Sequence, residues 1–196
     1  MADLVLVRSC NPKPTRVPSS FASSTATCPD AQFHPKVSLL ANTTYEACPT
    51  DLVNAPVDVV WRLLTNLSGW GDFYDVRVNR VDPVGPATVG QLMSGESGPR
   101  WLHLKVSFRF TNIDPTSYKL EFDVTFPFSV SVHEDLDCVP LDDGRCRVNY
   151  HCNFSFPRGW RGAAIRALLG SELRDGPADS LQRLKRAAEA AHRGHA

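Results

Sequence analysis

Two tyrosines are the side chains best suited to polarise a carbonyl group. Tyr118 and Tyr150 fall in the apolar series of two alternating segments, "YKLEFDVTF" and "CRVNYHCNFSF", so their hydroxyls are predicted to lie on the dry side of a sheet. There a hydroxyl either donates to a carbonyl or enolate oxygen or is satisfied within a packed core. Arg80, Arg100 and Trp101, near strand starts, are further candidate donors. None forms a nucleophile–base pair, so the catalytic residues are left unknown.

The histidines of this region are predicted to face solvent. His103, His133 and His151 occupy the polar positions of alternating segments, in the same series as Arg109, Glu121 and Asp123. A side chain of that series points away from the apolar face of its strand. The pattern therefore favours a solvated surface over an acid–base centre for these residues.

No metal or cofactor site is predicted. The six cysteines, at positions 10, 28, 48, 138, 146 and 152, show neither a CxxC pair nor a Cys/His spacing suited to zinc, and no phosphate-binding loop occurs. Reduced thiols are the expectation. Cys138 and Cys146 flank the turn "VPLDDGR" and face each other in the predicted hairpin, which leaves a disulfide there as the alternative.

Regular alternation of apolar and polar residues predicts antiparallel strands from residue 102 to residue 156. In "WLHLKVSFRFTNI" the even positions from Leu102 to Phe110 are apolar and the odd positions are polar, and "DPTS" then forms a turn. The same alternation continues in "YKLEFDVTF" before Pro127 and in "FSVSVHE" after it. It returns in "CRVNYHCNFSF" after the turn at "DDG". One face of this sheet is expected to be dry and the other wet.

Two helical regions flank these strands. Pro56 suits the first turn of a helix, and Val60, Leu63, Leu64 and Leu67 form its one-sided apolar stripe, with another short turn in "WGDFYD". The chain ends in a long helix from about Gly159 to Ala191, whose apolar stripe is expected to face the sheet. Gly176 and Pro177 lie within it, where proline predicts a kink.

Composition limits the class of protein. The chain has 196 residues, 42% of them hydrophobic, and 21 basic residues against 21 acidic ones, which predicts one globular domain without the excess charge that holds nucleic acid. No apolar run approaches the roughly 20 residues that span a bilayer, so stable membrane insertion is not expected. Residues 1–36 lack periodicity and are predicted to be a poorly ordered extension, with the domain at 37–196. A cytoplasmic location is expected, because "LVLV" is too short for a secretory signal.

The segment "NAPVDVVWRLLTNLSGWGDF" and the tail "GSELRDGPADSLQRLKRAAEAA" resemble the START-like (SRPBCC) superfamily, in its polyketide cyclase/dehydrase and lipid-transport branch. The resemblance covers residues 43 to 191. It implies an α+β helix-grip fold, with a curved antiparallel sheet of about seven strands wrapped on the long helix and two short helices after the first strand. By that resemblance a deep pocket lies between sheet and helix, and the two short helices close one end of it.

The dry face and the long helix supply the candidate lining of that pocket. The predicted ligand-binding residues are Tyr118, Tyr150, Phe108, Phe110, Phe122, Cys152, Phe154, Leu169 and Leu173. The loop at 84–98 contains glycines but not the tight glycine-rich loop of the plant allergen branch, so the ligands of that branch are not implied.

Three functions follow from the resemblance. The first is binding or carriage of a hydrophobic small molecule, such as a lipid, isoprenoid, quinone or polyketide, without a cofactor. The second is a polyketide cyclase or dehydratase that folds a flexible polyketone in the same cavity, without metal or covalent nucleophile. The third is a protein-interaction module. The oligomeric state is left open.

Overall fold

The computed structural model describes residues 44–98 and 103–194, with the backbone alone for 170–174. The described chain forms an α+β structure in which the strands form one sheet. The strands are β1 (Thr44–Ala47), β2 (Thr50–Val53), β3 (Arg77–Asp82), β4 (Leu92–Ser97), β5 (Leu104–Asp114), β6 (Lys119–Phe126), β7 (Val130–Pro140) and β8 (Cys146–Ser155). The α-helices are α1 (Val57–Thr65) and α2 (Trp160–Arg193), and 3₁₀ turns span Leu67–Asp72 and Pro127–Ser129.

The sheet is antiparallel, in the order β1-β8-β7-β6-β5-β4-β3, and β2 also pairs with β8. Thr44 pairs with Ser155 and Thr50 pairs with Asn149, so β1 and β2 lie end to end along the same neighbour. The eight strands therefore fill seven positions across the sheet. Together with the two short helices after the first strands and the long last helix, this confirms the predicted helix-grip fold.

The apolar alternation places one face of the sheet in the core, as predicted. In β5 Val106, Phe108 and Phe110 are buried, whereas the polar residues between them are exposed. The same alternation holds along β6, β7 and β8. A side-chain period of two on a pleated strand is the physical reason for this two-sided sheet.

The segment after β2 forms a short helix followed by a 3₁₀ turn. Pro56 precedes the first turn of α1 with φ −59°, an angle that its ring already imposes, and Asp58 complements the helix dipole there. Leu64 and Trp70 are almost completely buried, and the indole Nε1 of Trp70 donates to the Leu64 carbonyl oxygen at 2.9 Å. This hydrogen bond ties the 3₁₀ turn to the end of α1.

The two halves of α2 differ in how closely they pack. In the second half Leu181, Leu184 and Ala188 are buried, and the Lys185 ammonium donates to the Asp51 carboxylate on β2 at 3.0 Å. In the first half Leu168 is exposed. The helix therefore packs closely against the sheet near its C-terminal end, and the cavity described below extends along the part before it.

Three cysteines on the inner face are buried free thiols: Cys138, Cys146 and Cys152. The disulfide considered between Cys138 and Cys146 is therefore absent, and burial raises the pKa of Cys146 to about 11. Cys48 departs from the expectation of reduced thiols, because it is disulfide-bonded. Among the described residues, no helix has the length and hydropathy that a bilayer span requires.

Candidate functional site

A cavity of about 740 Å³ lies between the inner face of the sheet and α2. Its size falls within the range of roughly 300–1,000 Å³ that is usual for small-molecule sites. It is lined by Tyr74, Asp75, Ser97, Gly98, Leu104, Phe108, Phe126, Val132, Glu134, Tyr150, Phe154, Leu169, Gly176, Pro177, Asp179, Ser180, Gln182, Arg183 and Arg186. Aromatic and aliphatic side chains of the strands form the sheet wall, and α2 supplies most of the polar ones.

A buried carboxylate with two tyrosine partners stands out in this apolar sheet wall. The side chain of Glu134 on β7 is only 3% exposed. The Tyr74 hydroxyl donates to its two oxygens, at 2.6 and 2.7 Å, and the Tyr150 hydroxyl donates to Oε2. All three residues line the cavity. We call Tyr74, Glu134 and Tyr150 the carboxylate cluster.

Strand register and aromatic packing position the cluster. Glu134 pairs with Cys152 across β7 and β8, so Tyr150, two residues earlier on β8, is its diagonal neighbour on the same face. Such neighbours are within reach of a long aromatic side chain. Tyr74 follows the 3₁₀ turn, and its ring packs against Trp70 in a tilted arrangement with centroids 5.2 Å apart. The buried indole therefore holds the Tyr74 hydroxyl toward β7.

The environment of Glu134 raises the pKa of its carboxyl toward neutral pH. Burial raises the pKa of its carboxyl to about 7, although the two tyrosine hydrogen bonds act in the opposite direction. Burial and the adjacent carboxylate raise the pKa of Tyr74 and of Tyr150 well above the ordinary value. The tyrosines therefore keep their protons, while Glu134 gains or loses one near neutral pH.

The carboxylate cluster lies between the cavity and a second, small void. Tyr74 and Tyr150 also border a small apolar void, whose other walls include Leu64, Trp70 and Leu184. The two tyrosines thus separate the cavity from the layer formed by α1 and the 3₁₀ turn. That this segment closes one end of the pocket stays a prediction, since no residue of α1 or of the 3₁₀ turn is among those that line the cavity.

The helix side of the cavity carries charge of both signs. Arg183 and Arg186 line it together with Asp179, which is also on α2, and Asp75, which follows the 3₁₀ turn. Among the described residues, the Arg183 Nε–H is buried without a hydrogen-bond partner. The guanidinium groups of Arg183 and Arg186 place hydrogen-bond donors on the wall opposite the sheet.

Four of the predicted pocket residues line the cavity: Phe108, Tyr150, Phe154 and Leu169. Phe110 and Phe122 lie instead in the solid core, where their rings pack against Trp70 at 5.5 and 5.1 Å. Cys152 is also fully buried and lies outside the lining. Alternation identified the inner face, but aromatic packing decides which part of that face borders open space. The side chain of Leu173 lies outside the described part of the structure.

Tyr118 is placed differently from the prediction. It has φ 54°, and its hydroxyl donates to Asp58 on α1 at 2.8 Å. Its left-handed backbone turns the side chain out of the alternation that the sequence suggested. Arg80 is exposed and pairs with Asp82 at 2.7 Å, and Arg100 and Trp101 lie outside the described residues.

The polar series of the strands faces away from the cavity, as predicted. His103, His133 and Arg109 are exposed, and His133 Nδ1 lies 2.8 Å from the Asp123 carboxylate on the neighbouring strand. His151 and Glu121 are half-buried on the same side. The sheet thus separates His103, His133 and His151 from the cavity.

Glu134 and Tyr74 are absent from the residues that the sequence patterns predicted. A signal for Glu134 exists, because the apolar series Val130, Val132, Leu136 and Cys138 on β7 is broken at its centre by a carboxylate. A charged residue at a core position is a functional-site candidate. No comparable signal marks Tyr74, since it follows an irregular turn where side-chain direction has no period.

Comparison with known proteins identifies the family. Residues 50–189 match the polyketide cyclase/dehydrase and lipid transport family, and the chain belongs to it. A search of curated protein sequences finds no match.

Solved structures with the same fold include the Zhui aromatase/cyclase from Streptomyces sp. R1128. It is 19% identical with a TM-score of 0.62, over 74% of this chain and 94% of that one. Norcoclaurine synthase from Thalictrum flavum, in complex with dopamine and hydroxybenzaldehyde, is 11% identical with a TM-score of 0.59, over 87% and 99%. A protein from Thermus thermophilus is 15% identical with a TM-score of 0.59, over 75% and 99%. At these identities the likeness establishes the fold.

Proposed function

We propose that the protein binds and carries a hydrophobic small molecule in the cavity between the sheet and α2. The observation that carries this proposal is the cavity itself, about 740 Å³ of open space beside an otherwise packed core. A space of this size beside apolar walls forgoes packing contacts that a ligand would restore. Phe108, Val132 and Phe154 offer the apolar surface, and the carboxylate cluster offers one polar anchor.

The test is titration with Nile red, an uncharged dye whose fluorescence rises in apolar surroundings. Leu169 lines the cavity from α2, whereas Leu168 beside it is 62% exposed. Leu169→Trp places a larger ring in the cavity and is expected to weaken dye binding at least several-fold. Leu168→Trp is the matched control and should bind like the wild type. Equal affinity of both variants, or no dye binding by the wild type, would overturn the proposal.

The second candidate function is an enzyme that closes or dehydrates a carbonyl chain in the same cavity. It is favoured by one observation, a buried carboxyl with a pKa of about 7 that borders the cavity. A base with such a pKa is well matched to proton transfer at neutral pH. When Glu134 takes a proton from the carbon beside a carbonyl, it no longer needs both tyrosine hydrogen bonds. The Tyr74 or Tyr150 hydroxyl is then free to donate to the enolate oxygen.

Deuterium exchange tests the enzymatic candidate without knowledge of the natural substrate. The methyl protons of 2-acetonaphthone exchange with D₂O only through the enol or enolate, and NMR follows their loss. Wild-type protein should accelerate the exchange, and Glu134→Gln should abolish the acceleration. Tyr118→Phe, which changes a tyrosine outside the cavity, should retain it. An exchange rate that is unaffected by wild-type protein counts against catalysis and leaves ligand carriage unaffected.

A further inference from the structure

The hydrogen atoms of the carboxylate cluster are already committed to bonds inside it. Tyr74 has one hydroxyl proton, and it is donated to Glu134 at 2.6 and 2.7 Å. Tyr150 has one as well, and it is donated to Glu134 Oε2. A tyrosine hydroxyl has a single proton to donate. With the carboxylate ionised, the cluster therefore has no donor left for a ligand.

The cluster keeps several free acceptor positions. An ionised carboxylate offers about four lone-pair sites, and each phenol oxygen retains lone pairs when its proton is donated. The tyrosines occupy only part of the sites on Glu134, and all three side chains border the cavity. A ligand carbonyl only accepts hydrogen bonds, so its lone pairs would face those of the cluster without a proton between them. A ligand hydroxyl can donate its proton to one of the free acceptor positions. Donation to a charged acceptor is also stronger than a neutral hydrogen bond.

We infer that the carboxylate cluster selects ligands whose buried end carries a neutral hydrogen-bond donor, an alcohol or phenol hydroxyl, over ligands that end in a carbonyl or an ether. This inference rests on the proposed ligand-binding function and names the chemical class of the group that reaches the carboxylate cluster. Arg183 and Arg186 line the opposite wall from α2, and their guanidinium groups donate hydrogen bonds but accept none. Acceptor groups of the same ligand belong on that side.

Glu134→Gln reverses the hydrogen-bonding character of the cluster with little change in volume. The amide oxygen still accepts from the tyrosines, but the amide nitrogen adds two protons and no acceptor. The variant is therefore expected to lose the preference for a hydroxyl and to gain affinity for a carbonyl. Phe154→Leu is the matched control, since it alters the cavity wall without a polar group and should change the affinity for all probes by a similar factor.

The experiment measures displacement of Nile red by 2-naphthol, 2-methoxynaphthalene and 2-acetonaphthone at about pH 8, above the Glu134 pKa of about 7. These probes share one ring system and differ in the polar group. The wild type is expected to bind 2-naphthol about ten-fold more tightly than 2-methoxynaphthalene, the value of one hydrogen bond to a charged group. In Glu134→Gln this ratio should fall to near one, and 2-acetonaphthone should gain several-fold.

Each result decides the inference. Equal binding of the naphthol and the ether by the wild type overturns it but leaves the proposed carriage intact, because the dye still binds. A naphthol preference that persists in Glu134→Gln also overturns it, since the preference then comes from another group. A wild type that binds neither the dye nor any naphthalene overturns both proposals. The probe comparison on the wild type needs no variant, so the inference is testable even if Glu134→Gln fails to fold.

Discussion

Replacing Glu134 with glutamine should change how the stability of the protein depends on pH. The folded state holds the Glu134 proton more tightly than the unfolded chain, because burial raises the carboxyl pKa from 4.5 to about 7. Between these two values the native state binds more protons than the unfolded state. The free energy of unfolding therefore falls as pH rises through this window, and it levels off above about 7. Glutamine does not titrate, so the variant lacks this contribution.

The magnitude follows from the same two pKa values. A difference of one pKa unit corresponds to about 1.4 kcal/mol, so the rise from 4.5 to about 7 costs the wild type about 3 kcal/mol on full ionisation. The exchange of a carboxyl for an amide also alters the two tyrosine hydrogen bonds, and the part of this change that does not depend on ionisation shifts the stability of the variant equally at each pH. The pH-dependent part is therefore the cleaner signal: relative to wild type, the variant should gain about 3 kcal/mol between about pH 4.5 and about pH 8.

The assay is urea unfolding followed by tryptophan fluorescence at several pH values, since the buried Trp70 reports on the same region. Glu46→Gln changes an exposed glutamate on β1 and serves as the control, whose curve should run parallel to that of the wild type. A stability difference between wild type and Glu134→Gln that stays constant with pH would refute the reasoning. Such a result would mean that the Glu134 carboxyl titrates alike in the folded and unfolded states.

Other substitutions test the packing around the site. Trp70→Ala should lower the free energy of unfolding by about 3–5 kcal/mol, because it empties a fully buried site ringed by aromatic side chains; a loss near zero in urea unfolding would contradict this packing. Gly95→Ala should cost about 1–3 kcal/mol, since its Cβ would lie 2.6 Å from the Arg77 carbonyl oxygen. By contrast, Gly176→Ala meets no atom within 4 Å and should stabilise α2 by up to about 1 kcal/mol; thermal midpoints that move in the same direction for both glycines would be inconsistent with the structure. Tyr118→Phe should leave Nile red affinity unchanged, because the residue does not line the cavity; a weakened affinity would return Tyr118 to the site.

Periodicity placed the predicted pocket residues on the inner face of the sheet but did not distinguish those that border the cavity from those that do not. Phe108 and Phe154 follow the alternation of long strands, and both border the cavity. Phe110 and Phe122 follow the same alternation, yet the neighbouring Trp70 fills the space above them. Periodicity reports which face of a strand is dry, whereas the presence of open space depends on what packs against that face.

The sequence by itself determined the two-sided sheet, the long last helix and the family, because these depend on local period and on short motifs. Only the tertiary structure decided the carboxylate cluster. Tyr74 and Tyr150 lie 60 and 16 residues from Glu134 along the chain, and they meet it through an irregular turn and through strand register. Hydrogen bonds between side chains so far apart need atomic positions that no local pattern encodes. The burial that moves the Glu134 pKa toward 7 likewise exists only in the folded chain.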